Sequence, residues 1–184
     1  MRHSSSSGSA SFGGQFKKDF IYFSDAGNPN VKHIRMTSAN LREEFKKLVN
    51  TTVRIEHVFY FINPLVSWQI EDKIFHHAFI VFYTYDDYWW STEKNTKGIT
   101  LQRSRKIENV RDSFCNELRI PANSTIMNPQ LKNHDPGRWD ASLINVIDYV
   151  LIHNCLEAYH VVLDNCIHYG HGQYYSLTTR YAWK

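Results

Sequence analysis

An α+β fold is what this chain predicts: an antiparallel β-meander of four to five strands packed against helices. Three observations carry that expectation. Runs of β-branched and aromatic residues follow one another at hairpin spacing through residues 53–103. Segments with helical periodicity flank that block, at 41–49 and 140–157. Hydrophobic residues are 42% of the 184 and aromatic ones 15%, enough apolar surface for one domain with its own core.

Residues 1–15 are rich in Ser and Gly and read as a disordered tail, which leaves 16–184 as a single domain. The tail lacks the apolar block of a signal peptide. A short strand is expected over 16–23, followed by the turn Asp25-Ala26-Gly27-Asn28-Pro29-Asn30. Asn40-Leu41-Arg42-Glu43 has the form of a capping box with Asn40 as N-cap. Leu41, Phe45, Leu48 and Val49 then share a helical face that ends near Asn50.

Strands are expected at 53–62, stopped by Asn63-Pro64, and at 74–83, 88–94 and 99–103, with turns at Asp86-Asp87 and Lys97-Gly98. Residues 106–115 suit a short helix and 121–138 a loop, given Asn128-Pro129 and Asp135-Pro136-Gly137. Asp140 can cap a helix whose apolar face is Leu143, Val146, Ile147, Val150 and Leu151. An apolar run at 159–163 leads into Asp164-Asn165-Cys166.

Composition excludes some functions. A net charge of +3 is too mild to expect a nucleic-acid partner. No apolar run reaches the ~18 residues of a membrane span, so no transmembrane anchor is expected. Cys115, Cys155 and Cys166 are an odd set without paired spacing. That argues against a disulfide framework and for a reducing, cytoplasmic setting. Cys115 and Cys155 read as small buried hydrophobes.

Cys166 reads differently, because it follows Asn165 in a turn-like setting and has a histidine partner available upstream. Strand alternation places His77 with Phe79 and Val81, while His76 points the other way. On the next strand Trp89, Ser91 and Glu93 share a face, so Ser91 or Glu93 can reach the imidazole. Glu93 is favoured, since a carboxylate stabilises an imidazolium. Asn165 or Asp164 would cap a helix opening at Cys166, whose N-terminus acidifies the thiol and offers oxyanion donors at Asn165 and Cys166. Gly170 and Gly172 predict that this helix is short or irregular. Trp89, Trp90, Gln102 and Arg103 are candidate contacts for a substrate or a protein partner. No metal or other cofactor is required.

Asn165-Cys166-Ile167-His168-Tyr169 resembles the Asn-Cys-x-His-Phe motif of lecithin:retinol acyltransferase-like proteins. These belong to the permuted branch of the NlpC-type, papain-like superfamily. The order of a strand histidine, a polar residue and a late cysteine is similar to theirs. The resemblance implies a permuted papain-like fold and a hydrolase or acyltransferase, with His77 as base, Cys166 as nucleophile and Ser91 or Glu93 third. Its substrate would carry an acyl, peptide or isopeptide bond. Tyr169 stands where the family has Phe. Two other readings are weighed against it: an inactive protein-binding module of the same fold, and a small metal site built from Cys166, His168 and His171.

Overall fold

The structure is a computed structural model that describes residues 20–26, 34–64, 76–95, 98–114, 117–118, 130–135, 140–153 and 166–179. Its strands are β1 (Phe20–Asp25), β2 (Ile34–Thr37), β3 (Ile55–Pro64), β4 (His76–Thr84), β5 (Tyr88–Asn95), β6 (Gly98–Ser104), β7 (Ser113–Phe114), β8 (Glu117–Leu118) and β9 (Gln130–Asp135). Its helices are α1 (Leu41–Leu48), α2 (Glu108–Arg111), α3 (Leu143–Ile152) and α4 (Cys166–Thr178). The tail at 1–15, Cys115, Cys155, Asp164 and Asn165 lie outside the described residues.

The expected meander is present. β3, β4, β5 and β6 pair antiparallel in chain order. The β4–β5 turn needs a left-handed residue, and Asp87 supplies it with φ of 63°. The sheet nevertheless extends beyond a meander, to seven strands in the order β2-β1-β6-β5-β4-β3-β9. β1 joins β6 in parallel, so the sheet is mixed and not purely antiparallel. β9 lies in the segment expected to be loop, where it pairs with the free edge of β3.

Alternation sorts the sheet's side chains onto two faces. Ile21, Phe23, Ile62, Ala78, Ile80, Phe82, Trp90 and Leu101 face the helices α1, α3 and α4 and form the main core. Phe61, Phe79 and Val81 face the other way, against Val110 of α2. Leu41 and Phe45 are buried on α1, as the periodicity predicts, but the Asn40 side chain makes no capping bond. A single 3₁₀ turn ending at Asn40 already leads the chain into the helix.

The start of α3 differs too. Asp140 does not cap it. Asp140 accepts from Arg54 at 2.7 Å, and Ser142 occupies the cap position, with its N–H donating to Asn145 Oδ1 at 2.8 Å. The first peptide N–H groups of α3 are taken by residues before β3: Leu143 donates to Val53 O and Ile144 to Thr51 O, both at 2.9 Å. These bonds fix the cap two residues later than Asp140.

Helix α4 is a regular helix of 13 residues, despite its two glycines. The glycines are sites of close approach. A Cβ at Gly170 would lie 3.1 Å from Tyr60 Cε2 and 3.4 Å from the Cβ of Ala78. A Cβ at Gly172 would lie 1.9 Å from the Tyr149 hydroxyl oxygen. Glycine thus lets α4 sit low on the sheet and close to α3, at the expense of helix propensity.

Gly172→Ala should therefore destabilise the fold by about 1–3 kcal/mol through overpacking. Adding Tyr149→Phe should recover part of that loss. Thermal unfolding measures both, and an unchanged melting temperature for Gly172→Ala alone would contradict the packing.

Candidate active site

Three ionisable side chains from three elements converge where β4 begins. His77 is the second residue of β4, Glu93 lies near the end of β5, and Cys166 opens α4. The strand register brings the first two together. Ile80 pairs with Thr92 and Val81 with Ser91, which puts Glu93 beside Phe79 on the face that carries His77. His77 Nε2 lies 2.5 Å from Glu93 Oε2. The imidazole N–H donates and the carboxylate accepts, with side-chain exposures of 15% and 3%. Phe79 stacks on the imidazole at a centroid separation of 6.5 Å.

Cys166 arrives by a different route. Gly170 packs against Ala78, and the Tyr169 hydroxyl shares a 2.6 Å hydrogen bond with Thr92 Oγ1. Both contacts are on the helix-covered face, opposite to His77. One turn earlier in α4, at the end of the sheet, Cys166 comes within hydrogen-bonding reach of His77. Cys166 is buried, at 4% exposure. As the first residue of a helix it also sits in the positive end of the helix dipole.

Electrostatics follow from this geometry. Burial lowers the His77 pKa. The hydrogen bonds to Cys166 and Glu93, and the negative charges of both, outweigh burial and push it from 6.5 up to about 9. At neutral pH the imidazole of His77 therefore keeps its proton.

The other candidates fall into place around this cluster. Ser91 is not the imidazole's partner; it is buried, and its Oγ accepts from Gln102 Nε2 at 3.0 Å. Gln102 also donates to Ser113 O, so it lies in the interior and offers no contact surface. Trp90 is a core residue, stacked on Phe82, with Nε1 donating to Thr84 Oγ1 at 3.1 Å. Arg103 is held by Asp25 at 2.9 Å and lies over the Tyr88 ring. Trp89 is half-buried as well, packed on Tyr83 and Phe59 outside the main core. Asn165 and the side chain of His76 lie outside the described residues.

His168 and His171 are exposed while Cys166 is buried, and among the described residues no group of three or more His, Cys, Asp or Glu side chains is placed to hold a metal ion. An open hollow of about 340 Å³, lined by Asn50, Thr52, Val53, Arg54, Tyr85 and Asp86, lies at the opposite end of β4 from His77. Tyr60 is a further neighbour of the charged cluster. It is a buried tyrosine on β3 whose pKa is raised to about 12 by burial and by the charge of Cys166. Its signal was alternation, which places Tyr60 inward with Val58 and Ile62.

Comparisons of the chain with protein-family models, with curated proteins and with solved structures find no match.

A pH dependence follows from the raised His77 pKa. Protonation favours the folded state, so this contribution to stability is complete below pH 6.5 and disappears as pH rises through about 9. Glu93→Gln should lower the His77 pKa and flatten that slope. Imidazole NMR signals, followed with pH in both proteins, check it; identical titrations would show that Glu93 does not hold the charge.

Proposed function

We propose that the protein is a thiol-dependent hydrolase or acyltransferase acting on an acyl, amide or ester bond. The single observation that supports this most is the convergence of Cys166, His77 and Glu93, with one imidazole in hydrogen-bonding reach of both the sulfur and the carboxylate. The order His77, Glu93, Cys166 along the chain also fits a permuted papain-like site, and with it a kinship to lecithin:retinol acyltransferase-like proteins.

In this reading each group has a task set by its charge. His77 already carries the proton, so Cys166 attacks as a thiolate. The sulfur adds to the carbonyl carbon, and the carbonyl pair moves onto oxygen. The tetrahedral species collapses as His77 gives its proton to the leaving group, which leaves an acyl group on sulfur. Neutral His77 then takes a proton from water or an acceptor alcohol or amine, whose attack releases the acyl group. Glu93 touches no reacting atom. It positions the ring and stabilises the imidazolium, the third member's task in a triad.

Turnover of p-nitrophenyl acetate tests the reading. Cys166→Ala should remove the enzyme-dependent rate, and His77→Ala should lower it by about 10²–10⁴-fold. Glu93→Gln should fall between wild type and His77→Ala. Ser91→Ala should stay near wild type, because its hydroxyl is engaged with Gln102. Persistence of the wild-type rate in Cys166→Ala would end the proposal. Iodoacetamide gives an independent check at neutral pH, where Cys166 should be modified faster than Cys115 or Cys155 in the native protein.

A further inference from the structure

Tyr169 lies in the first turn of α4, three residues after Cys166. Its hydroxyl shares a 2.6 Å hydrogen bond with Thr92 Oγ1. The two residues are 2% and 1% exposed, so water does not compete for this bond. Thr92 belongs to β5, the middle strand of the seven, and is held in register between Ile80 of β4 and Leu101 of β6. The helix side of the bond is confined as well. Tyr149 of α3 meets the Tyr169 ring edge-on at a centroid separation of 6.1 Å. The next residue after Thr92 is Glu93, whose carboxylate holds His77. A closed circuit results. It runs from Cys166 along one helical turn to Tyr169, across the hydroxyl to Thr92, along one peptide to Glu93, and through the imidazole of His77 back to the sulfur. Tyr169 stands where the resembling motif has Phe, so the hydroxyl that closes this circuit is particular to this chain.

We infer that Thr92 and Tyr169 are positioning residues of this site: their hydrogen bond fixes the first turn of α4 so that the sulfur of Cys166 stays in reach of the His77 imidazole. The inference rests on the Cys166–His77 reading above and names two further residues for it. Thr92 points to the helix-covered face of β5 and Glu93 to the other, so the strand's own backbone joins the two bonds. The close approaches of Gly170 and Gly172 set the height of α4 over the sheet. Packing of that kind has little directional preference, and it leaves the helix free to turn about its axis. A hydrogen bond is directional, and this one lies on the same turn as the sulfur, so it removes that freedom where the site needs it removed. Rotation of α4 would carry Cys166 away from an imidazole that Glu93 holds still.

The pH profile of Cys166 alkylation separates this role from a structural one, and iodoacetamide needs no knowledge of the substrate. The rate would be followed across pH by mass spectrometry of the Cys166 peptide, in the full-length wild type, Tyr169→Phe, Thr92→Val, the double variant and Thr92→Ser. Tyr169→Phe and Thr92→Val keep the shape of the side chain and lose the bond. Each should move the midpoint of the profile upward by about one pH unit, about tenfold in thiolate, which is the most that one net hydrogen bond can supply. The double variant should shift no further than either single one, because both changes remove the same bond. Thr92→Ser keeps the hydroxyl and should recover the wild-type midpoint. A lowered melting temperature with an unmoved midpoint in Tyr169→Phe, or shifts that add in the double variant, would overturn the positioning role while leaving the Cys166–His77 reading intact. A wild-type Cys166 that alkylates no faster than a thiol of the unfolded chain would instead overturn that reading, and the positioning role with it.

Discussion

A carboxylate almost sealed from water needs a cation, and the site is organised around that need. Glu93 is 3% exposed at its side chain, in a strand interior where an unpaired charge would be strongly unfavourable. The group that meets it is the imidazole of His77, at 2.5 Å. Once Glu93 holds His77 as a cation, the ring presents positive charge to Cys166. The carboxylate thus acts on the sulfur through the imidazole between them in the chain of hydrogen bonds. Removing Glu93 or His77 alone takes from the other its ion-pair partner in a nearly dry setting, which costs stability.

That pair would face empty chemistry without the close seating of α4. The helix rests on Ala78 and Tyr60 because Gly170 has no side chain, and it rests against Tyr149 because Gly172 has none. Each contact sets the height of the helix over the sheet, and with it the position of the first turn where Cys166 lies. The hydrogen bond between Tyr169 and Thr92 fixes its rotation. The same seating packs the ring of Tyr60 against Gly170, one turn further along the helix. Packing at Tyr169, Gly170 and Gly172 of α4 and the charge of Glu93 thus act on one sulfur.

Local patterns in the sequence carried a good part of this. The meander was legible because its turns are short and its strands alternate. Alternation alone selected His77 for the face of Glu93, and the register bears that placement out. Pairings between distant segments were not legible. The parallel contact of β1 with β6 has no connecting turn to announce it. β9 lies among Pro and Asn residues that signal a loop, and it is a strand because β3 offers it an open edge. Asp140 and Ser142 are both good caps by residue type, and Ser142 occupies the position because backbone bonds from Thr51 and Val53 hold the helix start there. Gly170 and Gly172 read as weak points of a helix, since their value depends on Tyr60, Ala78 and Tyr149, which the sequence keeps far away. Trp90, Gln102 and Arg103 have the residue types of a binding surface, yet tertiary packing takes two of them inside and ties the third to Asp25.

The central claim is that Cys166 exists as a thiolate paired with the His77 imidazolium at neutral pH. The ultraviolet absorption of thiolate, taken as the difference between wild type and Cys166→Ser across pH, reads it directly. The account predicts a Cys166 signal already present at neutral pH and persisting well below the ordinary thiol pKa of about 8.5. A signal that emerges only near that ordinary value would contradict the account.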